Sequence, residues 1–339
     1  MADITLAANN PDLGGGEQML LRHAEALLEL GHAVAVVAPD APSEVLDAAA
    51  SAGVGVVAIR ADGRPDYLRR LRTWDRIERR GLLWCHGLVP ALATTGHADR
   101  IVHLHQEPRS RAQLIAAAVA RRGALAPLVP SNDAAVRVRG GRAHANWTTE
   151  LPRRPLPAER RHSVGYLGRL STDKGVDVLA RAVGMLPGSP PLLLAGDTRY
   201  VAAGSAQTVN AALSGLGSRV VRLGHVPPRD LFDQVGVVAF PSVWAEPFGL
   251  VVAEAMAACI PFVISDAGAL PEVAGPDHPW IARAGDVNDL ARVIGRALDA
   301  TPEEVRSVTD RARLRWEQEY SPQAGSLRVQ RLLKDLELT

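Results

Sequence analysis

The stretch VVAFPSVWAEPFGLVVAEAMAACIPFVIS, residues 237–265, decides the fold. It opens on a four-residue apolar run, Val237–Phe240, and closes on another, Phe262–Ser265. Pro241 and Pro261 punctuate the two runs, and the spacing predicts a helix between them that begins near Phe248. Two short apolar strands joined through a helix form a crossover unit, and such units build parallel sheets buried on both faces.

The same rhythm extends outward to both ends. Towards the C-terminus of the chain it adds Trp280–Ala282, and towards the N-terminus Val220–Leu223, Leu192–Ala195 and Val164–Leu167. The segment Glu150–His162, rich in proline and arginine and without apolar period, interrupts it and is expected to be an interdomain linker. Before the linker the strand pattern is Ile4–Ala8, Ala33–Ala38, Val54–Ile59, Leu82–Cys85, Ile101–His105 and Leu128–Pro130. Amphipathic stretches such as Glu17–Leu30 and Tyr67–Arg79 lie between these runs. The expected fold is α/β, with two doubly wound parallel-sheet domains at residues 1–152 and 163–312. The helical stretch Pro302–Leu338 exceeds what the second domain needs, so its end, 313–339, is expected to pack back on the first.

Composition narrows the function. The 339 residues are 47% hydrophobic, enough for two cores, and the formal net charge of +1 gives no basic field for nucleic acid. Cys85 and Cys259 form neither a metal motif nor a disulfide framework, which fits a reducing cytoplasm. No signal peptide is visible, and no apolar run reaches membrane-spanning length.

Ligands of open parallel sheets bind beyond the carboxyl ends of the strands, so the segments just after strands carry the chemistry. Gly14-Gly15-Gly16-Glu17 follows the first strand and opens a helix, where close backbone approach and the helix N-terminus favour an anion. Gly168-Arg169-Leu170-Ser171-Thr172-Asp173-Lys174-Gly175 places two cations at the mouth of a strand, a setting suited to a diphosphate. Neither stretch is a GxGxxG fingerprint or a Walker A loop. In the stretch that opened the reading, Glu246 precedes a glycine-containing turn and Glu254 sits in an otherwise apolar run. The amides of Gly249, Leu250 and Val251 are placed to bind phosphate oxygens, Glu246 sugar hydroxyls and Glu254 a ribose diol.

At these motifs the chain resembles the GT-B glycosyltransferases, and within them the retaining glycosyltransferase family 4. The resemblance runs through GGGE, GYLGRLSTDKGVDVL, FPSVWAEPFGLVVAEAMA and the downstream Pro261 and Asp266–Glu272. It implies two Rossmann-like domains and transfer of a sugar, with retention, from a nucleotide-sugar donor, a UDP-sugar above all. The acceptor would be a saccharide or natural product. By the same resemblance Arg169 and Lys174 hold the donor diphosphate, Glu246 the sugar and Glu254 the ribose. Val226 binds the base through its backbone, while Gly15 and Gly16 lie near the leaving phosphate or the acceptor. His105 faces the donor sugar. The chain is also similar to transferases of actinomycete oligosaccharide-antibiotic pathways such as avilamycin synthesis. Two positions depart from the family: Cys259 replaces a usual glycine, and Asn146-Trp147 replaces an asparagine-glycine pair.

No cofactor and no metal are expected, because an Asp-x-Asp pair is missing and Arg169, Lys174 and the helix start can stabilise the charge developing on the diphosphate. The rival metal reading is a zinc site at His103 and His105, which alternate on one strand and share a face, with His86 and Glu107 recruited by folding. A sugar-nucleotide epimerase, a non-catalytic nucleotide-sugar-binding protein and a zinc hydrolase are the alternatives from other classes.

Overall fold

A computed structural model describes residues 2–108, 110–154 and 162–338. It divides into two compact units, one of residues 1–147 with 322–339 and one of residues 148–321. The expected linker falls partly outside the described residues, at 155–161. Its described start belongs to the second unit, where Arg154 N donates to Ala258 O at 2.8 Å and buried Arg313 donates to Glu150 Oε1 at 2.9 Å.

The first unit runs β1 (Asp3–Ala8), α1 (Gly15–Glu29), β2 (Ala33–Pro39), α2 (Glu44–Ser51), β3 (Gly55–Ile59), α3 (Arg64–Ile77), β4 (Leu82–His86), α4 (Leu88–Ala93), β5 (Arg100–His103), α5 (Arg111–Ala120), β6 (Ala126–Val129), α6 (Asn132–Arg137) and β7 (Arg142–Ala143). Its seven strands are all parallel, in the order β3-β2-β1-β4-β5-β6-β7. The second unit runs β8 (Val164–Leu167), α7 (Val176–Gly184), β9 (Leu192–Ala195), α8 (Ala203–Ser214), β10 (Val220–Gly224), α9 (Pro228–Phe232), β11 (Val237–Phe240), α10 (Leu250–Ala257), β12 (Phe262–Ser265), α11 (Leu270–Ala274), β13 (Ile281–Ala282), α12 (Val287–Asp299) and α13 (Pro302–Glu319). Its six strands are also all parallel, in the order β10-β9-β8-β11-β12-β13. In each sheet the order reverses beside the first strand, between β1 and β4 and between β8 and β11. Those two crevices are the topological switch points at which such sheets bind ligands.

The strands behave as their composition dictates. Every residue of β9, β11 and β12 is buried, while the edge strands β3 and β10 are largely exposed. Polar residues set the starts of α12 and α13. Asp286 Oδ1 accepts from Asp289 N at 2.9 Å at α12, and Thr301 with Glu304 forms a reciprocal capping box at α13, with Pro302 in the first turn.

Some strand ends differ from the sequence expectation by a residue or two, as at β6, expected over Leu128–Pro130 and found at Ala126–Val129, and four further details depart from it. The strand expected over Ile101–His105 ends at His103, whose partner in β6 is Leu128. α10 starts at Leu250 rather than near Phe248, since Gly249 adopts a left-handed conformation and caps it. The stretch Pro302–Leu338 is two helices, broken at Tyr320–Ser321, and Pro322 opens the second, α14 (Pro322–Asp335). The two-residue strand β7 has no apolar run to announce it.

The two departures from the family pattern have structural answers. Cys259 takes a φ of +55°, the backbone conformation that a glycine would supply. Trp147 packs within the first unit against Gly325 of α14, where an added Cβ would lie 2.3 Å from the indole, so the large side chain is met by the smallest. α14 is fixed further by Arg142–Asp335 at 2.5 Å and Arg328 Nη1 to Ala145 O at 2.9 Å. Among the described residues no helix is long and apolar enough to cross a membrane.

Candidate functional site

The second unit gathers most of the predicted residues at its switch point. The loop after β8 carries Arg169 and Lys174, and the loop after β11 carries Glu246 and Gly249. Folding brings Lys174 Nζ onto Glu246 Oε1, closing a pair 72 residues apart in sequence. Ser242 Oγ donates to the same carboxylate oxygen at 2.6 Å, and Ser265 Oγ anchors Ser242 O at 2.6 Å. Glu246 is 6% exposed, so the carboxylate needs this cation and hydroxyl. Its backbone is fixed too, through a parallel bridge to Gly268 and an Ala269 N to Glu246 O bond of 2.9 Å.

Arg169 is oriented differently. Its guanidinium meets Asp173 Oδ2 at 3.1 Å on a half-open surface, and Tyr166 OH donates to its carbonyl at 2.6 Å. Asp173 joins the two loops: Ser171 Oγ donates to its side chain, and Val243 N donates to its carbonyl at 2.9 Å. Burial, and next the negative charge of Glu246, push the Tyr166 hydroxyl well above its ordinary range, so it stays a donor. Sequence reasoning assigned no role to Ser242, Asp173 or Tyr166. Asp173 lay inside the quoted motif, whereas Ser242 and Tyr166 carried no spacing signal.

At α10 the intrahelical ladder begins with Val252 N donating to Gly249 O at 3.0 Å. The N–H groups of Gly249, Leu250 and Val251 therefore lie upstream of it, in the positive first turn. Glu254 sits one turn further on, not nearly two, and shares the half-buried face with Leu250 and Val251. Val226 is half-buried in the loop between β10 and α9.

The first unit has its own polar centre at the β1–β4 switch point. Gly15 and Gly16 form the first turn of α1, and a Cβ on Gly16 would lie 3.4 Å from His105 Cδ2. Glu17, buried in the same turn, accepts from Asn10 Nδ2 at 3.0 Å, and burial raises its carboxyl above the usual range. His105 lies beyond β5, yet its ring is 4.2 Å from that of His103, and its Nε2 is 2.8 Å from His86 Nδ1. His23 and His144, absent from the sequence reading, complete the cluster with Nε2 atoms 3.2 Å apart.

Burial holds all five imidazoles neutral, with His23 lowered to about 3, His105 to about 4, and His86, His103 and His144 well below 6.5. Unfolded histidines take up protons near pH 6.5. Below that pH the unfolded chain binds more protons than the folded one, so acid removes stability, by up to about 1.4 kcal/mol per pH unit for each histidine. The urea midpoint of the first unit is expected to be flat above about pH 7.5 and to fall steeply from about pH 6.5 to 4.5. A midpoint constant over the lower range would show that the cluster protonates without unfolding.

The comparisons with known proteins fit this geometry. Residues 161–300, within the second unit, match the family described as glycosyl transferases group 1, and the two parallel-sheet units match the GT-B fold of solved neighbours. The chain is similar to the D-inositol 3-phosphate glycosyltransferase of Mycolicibacterium smegmatis, 30% identical over 217 residues, 62% of this chain and 45% of that protein. It is also similar to the MMP alpha-(1->4)-mannosyltransferase of Mycolicibacterium hassiacum, 43% identical over 96 residues, 28% of this chain and 23% of that protein. The chain thus spans less than half the length of these curated relatives. Among solved structures, HepE from Anabaena in complex with UDP-glucose superposes with a TM-score of 0.83 at 20% identity, over 99% of this chain and 100% of that one.

Proposed function

We propose that the chain is a retaining glycosyltransferase of family 4 that takes its sugar from a nucleotide diphosphate, a UDP-sugar, without a metal. The observation that carries this reading is the Lys174–Glu246–Ser242 constellation at the β8–β11 switch point, directly before the N-terminal turn of α10. On this reading Lys174 is the cation, Glu246 the carboxylate for the sugar, and the amides at Gly249–Val251 the row for the phosphates. Breaking a sugar–phosphate bond develops charge on the diphosphate, and Lys174, Arg169 and the amides at Gly249–Val251 supply the opposite sign. Glu254 takes the ribose, Val226 the base, and His105 of the first unit the donor sugar. The leaving phosphate accepts the acceptor's proton. The acceptor is a saccharide or natural product, and the oligosaccharide-antibiotic class is the one the sequence resembles. Curated relatives named as glycosyltransferases and a UDP-glucose-bound neighbour support the reading.

The test is a donor screen by calorimetry, followed by mass spectrometry of products from an acceptor panel. Conversion of the donor without any acceptor would point to an epimerase instead. Exhaustive chelation is expected to leave transfer unchanged, and loss of activity restored by Mg²⁺ or Mn²⁺ would refute metal independence. Glu246→Gln keeps the Ser242 contact but removes the charge opposite Lys174. It is expected to lower turnover about 10–100-fold while changing UDP affinity less than about threefold. Equal loss of both would assign Glu246 to structure alone.

A further inference from the structure

The histidine cluster of the first unit contains more ligand nitrogen than its hydrogen bonds use. We propose that His86, His103 and His105 form a binding site for a transition-metal cation of the Zn²⁺ class, and that filling it stops transfer. The second half of this statement rests on the proposed function; the first does not.

One nitrogen from each of the three side chains lies within 4.8 Å of the others. His86 closes β4, His103 closes the adjacent β5, and His105 follows two residues later, so neighbouring strand ends hold the set. His103 is fully buried and neither of its ring nitrogens has a hydrogen-bond partner among the described residues. The same holds for His86 Nε2 and His105 Nδ1. Buried polar atoms are nearly always paired, so four unpaired nitrogens in one cluster call for a missing partner. A cation with an affinity for imidazole is such a partner.

The donor set selects its chemistry. Three neutral nitrogen ligands suit Zn²⁺, Co²⁺, Ni²⁺ or Cu²⁺ and reject Mg²⁺ and Ca²⁺, which require oxygen. Bonds of about 2.0–2.1 Å in tetrahedral geometry put ligand nitrogens about 3.3 Å apart, so nitrogens within 4.8 Å of one another must close by up to about 1.5 Å. His105 can supply the movement, because it lies outside the strand ladder and is the half-buried member through which an ion enters. His23 and His144 back the trio, with the His23 ring 5.0 Å from His86 and the His144 ring 5.6 Å from His103. An ion here would engage the same ring that the proposed function directs at the donor sugar, and would hold it away from that task.

The test uses the untagged full chain, stripped with a chelator. Zn²⁺ is titrated against a chromophoric competitor, Co²⁺ is followed by its visible ligand-field bands, and Zn K-edge absorption counts imidazole ligands on the unmodified protein. One equivalent bound by three imidazoles is expected. His103→Asn should weaken binding by more than the about 100-fold that an outer-shell change can cause, while retaining transfer that Zn²⁺ no longer inhibits. His162→Asn, at an exposed site, should bind as the parent does. Absence of a Co²⁺ band, or fewer than three imidazoles at the absorption edge, overturns the site whether or not His103→Asn folds. Stoichiometric binding without inhibition of measurable transfer overturns the inhibitory half. A chain that binds Zn²⁺ but transfers no sugar leaves the metal site standing and refutes the proposed function.

Discussion

Lys174→Ala is expected to lower kcat/KM for the donor by about 100-fold or more, with a matching rise in the UDP dissociation constant. Lys174 is one-quarter exposed and its ammonium is held on Glu246, so it sits at the mouth of the site already oriented. A charge-assisted contact to a diphosphate contributes about 1.5–3 kcal/mol, and more where charge builds up during reaction. The substitution also strands a buried carboxylate, which by itself destabilises the loop after β11. Those effects separate in the double variant Lys174→Ala with Glu246→Gln. Neutralising Glu246 should recover thermal stability but leave transfer no higher than in the single variant. Recovery of both would mean that Lys174 only balances Glu246. Arg169→Ala should be milder, because its guanidinium is more exposed and already shared with Asp173.

Gly175→Ala should produce a large loss of stability from a single methyl group. Gly175 caps α7 with a φ of +71°, and an added Cβ would sit 1.9 Å from Pro241 O. The backbone of the loop after β8 therefore touches the backbone of the loop after β11, and nothing between them can yield. Left-handed strain of about 1–2 kcal/mol adds to the displacement of one loop from the other, for a total of about 3 kcal/mol or more. The apparent melting temperature of the second unit should fall by about 6–12 °C, and UDP binding should weaken because Lys174 and Glu246 sit on the two displaced loops. Gly204→Ala, in α8 where a Cβ meets nothing within 4 Å, is the matched control and should be neutral or stabilising. Equal melting temperatures for the two variants would refute the argument.

Much of this architecture is legible in the chain itself. Parallel strands buried on both faces are continuous apolar runs, so β8, β9, β11 and β12 are read to the residue. What escapes reading depends on partners rather than on local pattern. β5 leaves the ladder at His103, although the sequence HLH continues the alternation. α10 starts late because Gly249 turns left-handed, at a position where an added Cβ would lie 2.6 Å from Leu270 Cδ2. The cations and carboxylates of the second unit could be named from motifs, but their pairing could not. Ser242 and Asp173 matter because the loops after β8 and β11 meet, and nothing in local spacing says so. The histidine cluster is the clearest case: His23 and His144 are 121 positions apart, and only the fold makes them neighbours.

The first unit is built from both ends of the chain, while the second is one uninterrupted segment. On a ribosome, residues 148–321 can therefore reach their native contacts before α14 emerges to cover α1. The first unit therefore waits, with α1 still uncovered, for a helix that follows the whole second unit in sequence. Until then Trp147 lacks the seat that Gly325 provides, so its indole and the side of α1 that α14 covers stay open.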